Sequence, residues 1–128
     1  MPRSTTRSVA IAVAALTAVI AAPAGVAKDG DIRIAGSCTS AASSKLKLSA
    51  EDGGIEVEFE VDQNRNGVPW RVTLRRNGSL VASTTARTRA PSGSFEVRRV
   101  IAGSPGATRV VAVAKGPNGA TCTAAGSF

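Results

Sequence analysis

Few residue types are available for chemistry, because the 128-residue chain contains no histidine and no tyrosine. Without imidazole the commonest general base and a frequent zinc ligand are both missing, so catalysis would rest on carboxylates, hydroxyls or lysine. One spacing would suit such chemistry. Ser44-Lys45-Leu46-Lys47 spells S-x-x-K, in which a lysine three residues on can activate a serine nucleophile. That arrangement needs a helix, where residues three apart share a face. Lys45-Leu46-Lys47-Leu48 alternates instead, and a strand sends Ser44 and Lys47 to opposite sides. No companion motif of a serine acyl-transfer enzyme accompanies it, so the chain reads as a non-enzyme with no cofactor.

Metal-ligand spacing occurs once. Asp62-Gln63-Asn64-Arg65-Asn66-Gly67 matches the start of a calcium loop, with Asp62, Asn64 and Asn66 as weak candidate ligands. The twelfth position is Thr73 where a bidentate carboxylate is required, and Arg65 adds positive charge among the ligands. A polar turn between strands explains the same letters. Asn77-Gly78-Ser79 spells a glycosylation sequon, yet Asn-Gly is also the preferred pair of a two-residue type I′ hairpin.

The compartment is indicated by the N-terminus. Arg3 and Arg7 precede an apolar run from Val9 to Ala22, and Pro23 to Ala27 supplies the small residues of a cleavage site, so residues 1–27 read as a secretory signal peptide. Cleavage after Ala24 is the alternative. A retained anchor would use the same run, which approaches the roughly 17 residues that span a bilayer. The alanine content and the Pro and Gly at its end favour cleavage, leaving residues 28–128 as one domain with no membrane span, secreted or associated with the cell wall. Ala35-Gly36-Ser37-Cys38 loosely matches a lipoprotein site, but Lys28, Asp29, Asp31 and Arg33 separate it from the apolar run. Cys38 and Cys122, near the two ends of that domain and bound for an oxidising compartment, are therefore expected to pair with each other. The closed loop would contribute up to about 4 kcal/mol.

The expected domain shows the period of strands throughout. Ile55, Val57, Phe59 and Val61 alternate with Glu56, Glu58, Glu60 and Asp62, and Trp70, Val72 and Leu74 alternate with Arg71, Thr73 and Arg75. Weaker runs span 32–38, 45–50, 79–86, 94–101, 108–115 and 120–128. Gly-, Asn- and Pro-rich turns such as Asp52-Gly53-Gly54, Asn77-Gly78 and Pro91-Ser92-Gly93 separate them. The Asn77-Gly78 turn predicts Arg76 opposite Ser79 and Leu74 opposite Val81, and a four-residue turn at 116–119 predicts Cys122 opposite Val113. Short strands at this spacing bury their apolar faces on one another as a sandwich.

Pro69-Trp70-Arg71-Val72-Thr73-Leu74, followed by Asn77-Gly78, resembles the central strand of immunoglobulin-like and fibronectin-like domains, where a tryptophan lies at the sandwich centre. The likeness runs over residues 44–128. Small secreted sandwiches of high-GC Gram-positive bacteria, chromophore-carrying apoproteins among them, are similar in size and composition, although those carriers have two disulfides. The resemblance implies an all-β, seven- to eight-stranded antiparallel immunoglobulin-like sandwich, here stapled by one disulfide. In that topology the acidic run 55–61 and the Trp70 strand belong to opposite sheets, which leaves the glutamates as a solvated outer face. Direct pairing of the two strands, with Glu60 facing Arg71 and Glu56 facing Arg75, is the alternative.

Charge supplies the remaining functional hint. Without Arg3 and Arg7, 14 basic residues stand against nine acidic ones. Arg71, Arg75, Arg76, Arg98 and Arg99 are the candidate polyanion-binding residues, and wall phosphates, acidic glycans or lipid headgroups their partners. One tryptophan and three phenylalanines make no stacking platform, which argues against nucleic acid. A solubilising surface is the plain alternative. The sequence thus describes an exported non-enzymatic binding or accessory module without identifying its extracellular ligand; an anionic polymer or the cell wall, bound through the arginine-rich face, is the alternative reading, and a protein partner is also open. An enzyme-inhibitor reading would use Arg89-Ala90-Pro91, in the loop 87–93, as the presenting segment.

Overall fold

The computed structural model describes residues 30–128. The expected signal peptide, residues 1–27, lies outside the described residues. Nine strands follow in order: β1 (Ile32–Ala35), β2 (Ser37–Cys38), β3 (Ser43–Glu51), β4 (Gly54–Asp62), β5 (Pro69–Arg76), β6 (Ser79–Arg87), β7 (Ser94–Ala102), β8 (Arg109–Lys115) and β9 (Thr121–Ser127). They form a four-stranded sheet, β1-β3-β4-β7, and a five-stranded sheet, β2-β9-β8-β5-β6, with every neighbouring pair antiparallel. The architecture is the all-β sandwich that the alternation implied. β4 and β5 lie in opposite sheets, as the immunoglobulin-like arrangement requires.

Alternation builds the core. Leu46 and Leu48 of β3, Ile55, Val57, Phe59 and Val61 of β4, and Phe95, Val97 and Ile101 of β7 face Trp70, Val72, Leu74, Val110, Ala112, Ala114 and Ala124 of the other sheet. Residues on β8 and β9 are small because bulky side chains of the first sheet occupy the space opposite them. A Cβ on Gly126 would stand 2.2 Å from Ile34 Cδ1 and 3.5 Å from Leu48. Trp70 is 1% exposed, tilts against Phe95 with ring centroids 6.3 Å apart, and donates its indole N–H to Gln63 Oε1 at 2.9 Å. The apolar body of the indole is thus buried while its one polar atom is satisfied.

The run expected as one strand over 32–38 changes sheets at Gly36. β1 pairs with β3 and β2 pairs with β9, so a single extended segment laces the two sheets along one side. Glycine is required at the crossing, where a Cβ would lie 2.1 Å from Ser44 Oγ and 2.9 Å from the Thr123 carbonyl. Directly beyond it, Cys38 and Cys122 face each other in register with Cα atoms 4.1 Å apart, and the expected disulfide is formed. It holds the sheet-switching segment on the last strand.

Two registers differ from the sequence expectation. Asn77 and Gly78 have φ of 47° and 85°, as a type I′ turn demands, and Arg76 does face Ser79. A β-bulge at Val81 then shifts the pairing, so Leu74 meets Ala82 rather than Val81. At the next hairpin Gly116 N–H bonds the Ala120 carbonyl, which shortens the loop to Pro117-Asn118-Gly119 and sets Cys122 opposite Ala114, not Val113. The left-handed conformations of Asn118 and Gly119 make the shorter loop possible.

Candidate anion-binding face

The two outer faces of the sandwich differ in charge. On the four-stranded sheet the glutamates of β4 stand in the middle, between the basic residues of β3 and those of β7. Register places Lys47 and Arg98 on either side of Glu58, and Lys45 and Glu96 on either side of Glu60. Lys45 Nζ lies 3.5 Å from Glu60, Lys47 Nζ lies 3.4 Å from Glu58 and 3.8 Å from Asp31, and Arg98 bridges Glu56 and Glu58. The expectation of a solvated acidic face therefore needs correction. Glu56 is only 5% exposed, and the hydrogen bond and charge of Arg98 hold its carboxyl below the usual range against the opposing effect of burial. Glu96 moves the other way, raised by partial desolvation and by the negative charges of Glu58 and Glu60.

The five-stranded sheet carries no Asp or Glu on any of its strands. Every described Asp and Glu belongs to the other sheet or to the segments flanking its strands: Asp31, Glu51, Asp52, the β4 acids and Glu96. Alternation directs Arg71, Thr73 and Arg75 of β5 outward, where register sets them beside Lys115, Val113 and Val111 of β8. Arg109 continues the same face at the start of β8, and Arg87 marks its corner at the end of β6. Arg109 and Lys115 are not legible from sequence as members of this face, because nothing local says that β8 lies beside β5. Arg71 donates to Ser83 Oγ at 3.4 Å and Arg75 to the Gly78 carbonyl at 3.2 Å, so both guanidiniums are steadied without being neutralised. Thr85, Arg71, Lys115 and Thr121 form one row across four strands. Two like charges directly opposite in a ladder repel. Anions placed over that row would relieve the repulsion and meet hydroxyls on both flanks.

The five arginines chosen from sequence do not share a surface. Arg71 and Arg75 lie on the cationic face, whereas Arg98 lies on the opposite sheet within the ion-paired ladder. Arg99 takes the inward parity of β7 and emerges in a lateral groove between β6 and β7. Arg76 reaches across one end of the sandwich to the Ala102 carbonyl, 3.0 Å away. Sequence clustering between 71 and 99 joined strands that the fold separates.

The other sequence candidates have structural roles. Ser44 is buried beside Cys38 while Lys47 points to the outer ladder, so the S-x-x-K pair is split across the sheet. Asp62 Oδ1 accepts the Asn64 N–H at 3.0 Å, which makes the segment 62–67 a turn, and among the described residues no acidic cluster with metal-binding geometry surrounds Asn64 and Asn66. Asn77 is committed too. Its Oδ1 accepts the Arg109 N–H at 2.8 Å and its Nδ2 donates to Ser104 Oγ. The loop 87–93 is folded back on itself: Arg89 pairs with Ser94, Gly93 N–H bonds the Arg89 carbonyl, and buried Thr88 ties the loop to Arg65 and Val68. Arg89-Ala90-Pro91 thus forms a closed turn, not an extended segment for a protease cleft. No helix among the described residues is long and apolar enough to cross a membrane.

No protein-family model, curated protein or solved structure matches this chain. Its class is defined by its own fold: a disulfide-stapled antiparallel sandwich whose two outer faces are one ion-paired and one purely cationic.

Proposed function

We propose that the protein is an exported, non-enzymatic module that binds an anionic polymer outside the cell through the outer face of its five-stranded sheet. The observation that supports this reading most is the segregation of charge. Arg71, Arg75, Arg109 and Lys115 lie on one face whose five strands contain no Asp or Glu. A merely solubilising surface benefits from interspersed signs, whereas a single-sign field attracts and holds a polyanion. Residues four apart on β5 are separated by roughly 13 Å, and neighbouring strands by about 4.8 Å, so the cations form a grid rather than a point site. Such a grid suits repeated phosphate, sulfate or carboxylate groups along a chain.

Export is supported by the signal-like N-terminus and by the disulfide, which persists in oxidising compartments. Retention of the exported protein on immobilised heparin and on wall teichoic acid, measured between about 50 and 200 mM salt, tests the reading. Affinity is expected to fall steeply over that range as counterions compete for the face. Absence of binding at the low-salt end refutes it.

A further inference from the structure

The sandwich is sealed along one side and open along the other. β1 and β2 lace the sheets together at the sealed side, whereas β6 and β7 are the free edges of their respective sheets on the open side. Between them runs a groove of about 740 Å³. Phe95 and Val97 lie on its floor, nearly buried, and Arg87, Arg89 and Arg99 line its walls. None of these three guanidiniums has a carboxylate partner among the described residues. Glu60 and Glu96 also reach the lining; Glu60 is already paired with Lys45.

The two edges are not equivalent. β6 is bulged at Val81, a device that turns an edge away from further pairing. β7 has no bulge or proline and pairs with β4 in unbroken register over all nine residues, from Ser94 opposite Asp62 to Ala102 opposite Gly54. The covered edge of β7 shows what kind of strand it accepts. β4 is an alternating acidic strand, and Arg98 binds its Glu56 and Glu58 on the outer face. On the inner face of the free edge, Arg99 offers the same group with no carboxylate partner among the described residues, donating only to the Arg98 carbonyl at 2.8 Å. An inward-pointing charge at an edge repels an apolar strand. It welcomes a carboxylate.

We infer that the groove between β6 and β7 receives an extended acidic segment of a partner protein, added as a further strand on the free edge of β7. Backbone N–H and C=O groups of the segment pair with those of β7; its inward residues are apolar where they cover Phe95 and Val97 and acidic where they meet Arg99, and a further carboxylate at its end reaches Arg89 beside Ser94. This site adjoins the outer face of the five-stranded sheet at Arg87 but takes a different partner chemistry, an extended peptide rather than a polymer.

A capped octapeptide with the sequence of residues 55–62 carrying Val57→Glu, Glu56→Thr, Glu58→Thr and Glu60→Thr serves as the probe, since in the β4 register its glutamate falls at Arg99 and its terminal aspartate beside Ser94 and Arg89; a matched peptide carries lysine at those two acidic positions. Titrated into the isotopically labelled exported protein, the acidic peptide is expected to shift the amide resonances of β7 and of residues 84–89 and to slow hydrogen exchange along β7. The lysine peptide is expected to do neither. Arg99→Glu should weaken the acidic peptide at least tenfold, because like-charge juxtaposition opposes docking. Arg89→Glu, on an exposed turn, provides a second variant in case the first disturbs folding, and Arg33→Ser, exposed on β1 at the sealed side, should leave the peptide's affinity unchanged. Equal binding of the lysine peptide overturns the inference. So do shifts confined to the outer face of β5, β8 and β9, peptide affinity unaltered in both charge-reversal variants, or no shift at about 1 mM peptide.

Discussion

The outer faces of the two sheets are built from the same alternation but solve their electrostatics in opposite ways. On the four-stranded sheet each β4 glutamate has a cation nearby, Glu56 is buried beneath Arg98, and the face is internally neutralised. On the five-stranded sheet the cations have only hydroxyl and carbonyl partners. The first face resembles a closed circuit and contributes to folding; the second leaves its charge available to something outside the molecule. Counting arginines in the sequence cannot tell the two apart, since Arg98 and Arg71 differ in what lies beside them and not in residue type.

The largest expected effect comes from cutting the segment shared by both sheets. Replacing Cys38 and Cys122 by serine removes a closure between positions 84 apart and should lower unfolding stability by up to about 4 kcal/mol in urea denaturation. A loss near zero, or titratable thiols in the unreduced protein, would break the picture of a laced sandwich.

Next in size is the contrast between faces in binding. Arg71→Ser together with Lys115→Ser should reduce heparin affinity by about tenfold or more at low salt, roughly 1.4 kcal/mol, and lessen the salt dependence by about one unit of slope per cation removed. Arg98→Ser with Arg99→Ser should change that affinity much less, since Arg98 is occupied by Glu56 and Glu58. Equal losses from the two double variants would erase the distinction between the faces.

The pH dependence of stability sharpens the comparison further. The folded-state pKa of Glu56 is depressed, so its stabilising contribution is fully present above the ordinary value of 4.5 and disappears as pH falls through the lower folded value. Glu96 is raised and acts with the opposite sign: its ionisation destabilises the fold as pH rises through 4.5 toward the higher folded value. Thermal unfolding between about pH 3 and 7 should accordingly show a shallower acid limb in Glu56→Gln and a steeper one in Glu96→Gln. Identical profiles for the two variants would show that the ladder is not coupled to folding.

The smallest effect is expected at Arg71, whose side chain makes one long hydrogen bond on the exposed face. Arg71→Ser should alter stability by no more than about 0.5 kcal/mol in either direction. A substantial loss would mean that the cationic face serves the fold.

The sequence by itself determined the all-β class, the position of most strands, the pairing of the two cysteines and the burial of Trp70. These follow from period-two alternation, from turn residues and from the presence of only two thiols. It also separated Ser44 from Lys47, because strand alternation alone places neighbours of opposite parity on opposite faces. Tertiary structure decided everything that depends on which strands lie side by side. Bringing β8 next to β5 put Lys115 beside Arg71, and bringing β7 next to β4 gave Arg98 its glutamates. The bulge at Val81 and the three-residue loop after Gly116 each moved a register by one residue, a shift that Asn-Gly and Gly-Pro letters do not encode. Alternation fixes which way a side chain points, whereas its partners are fixed by long-range strand order, set by how the whole apolar core closes.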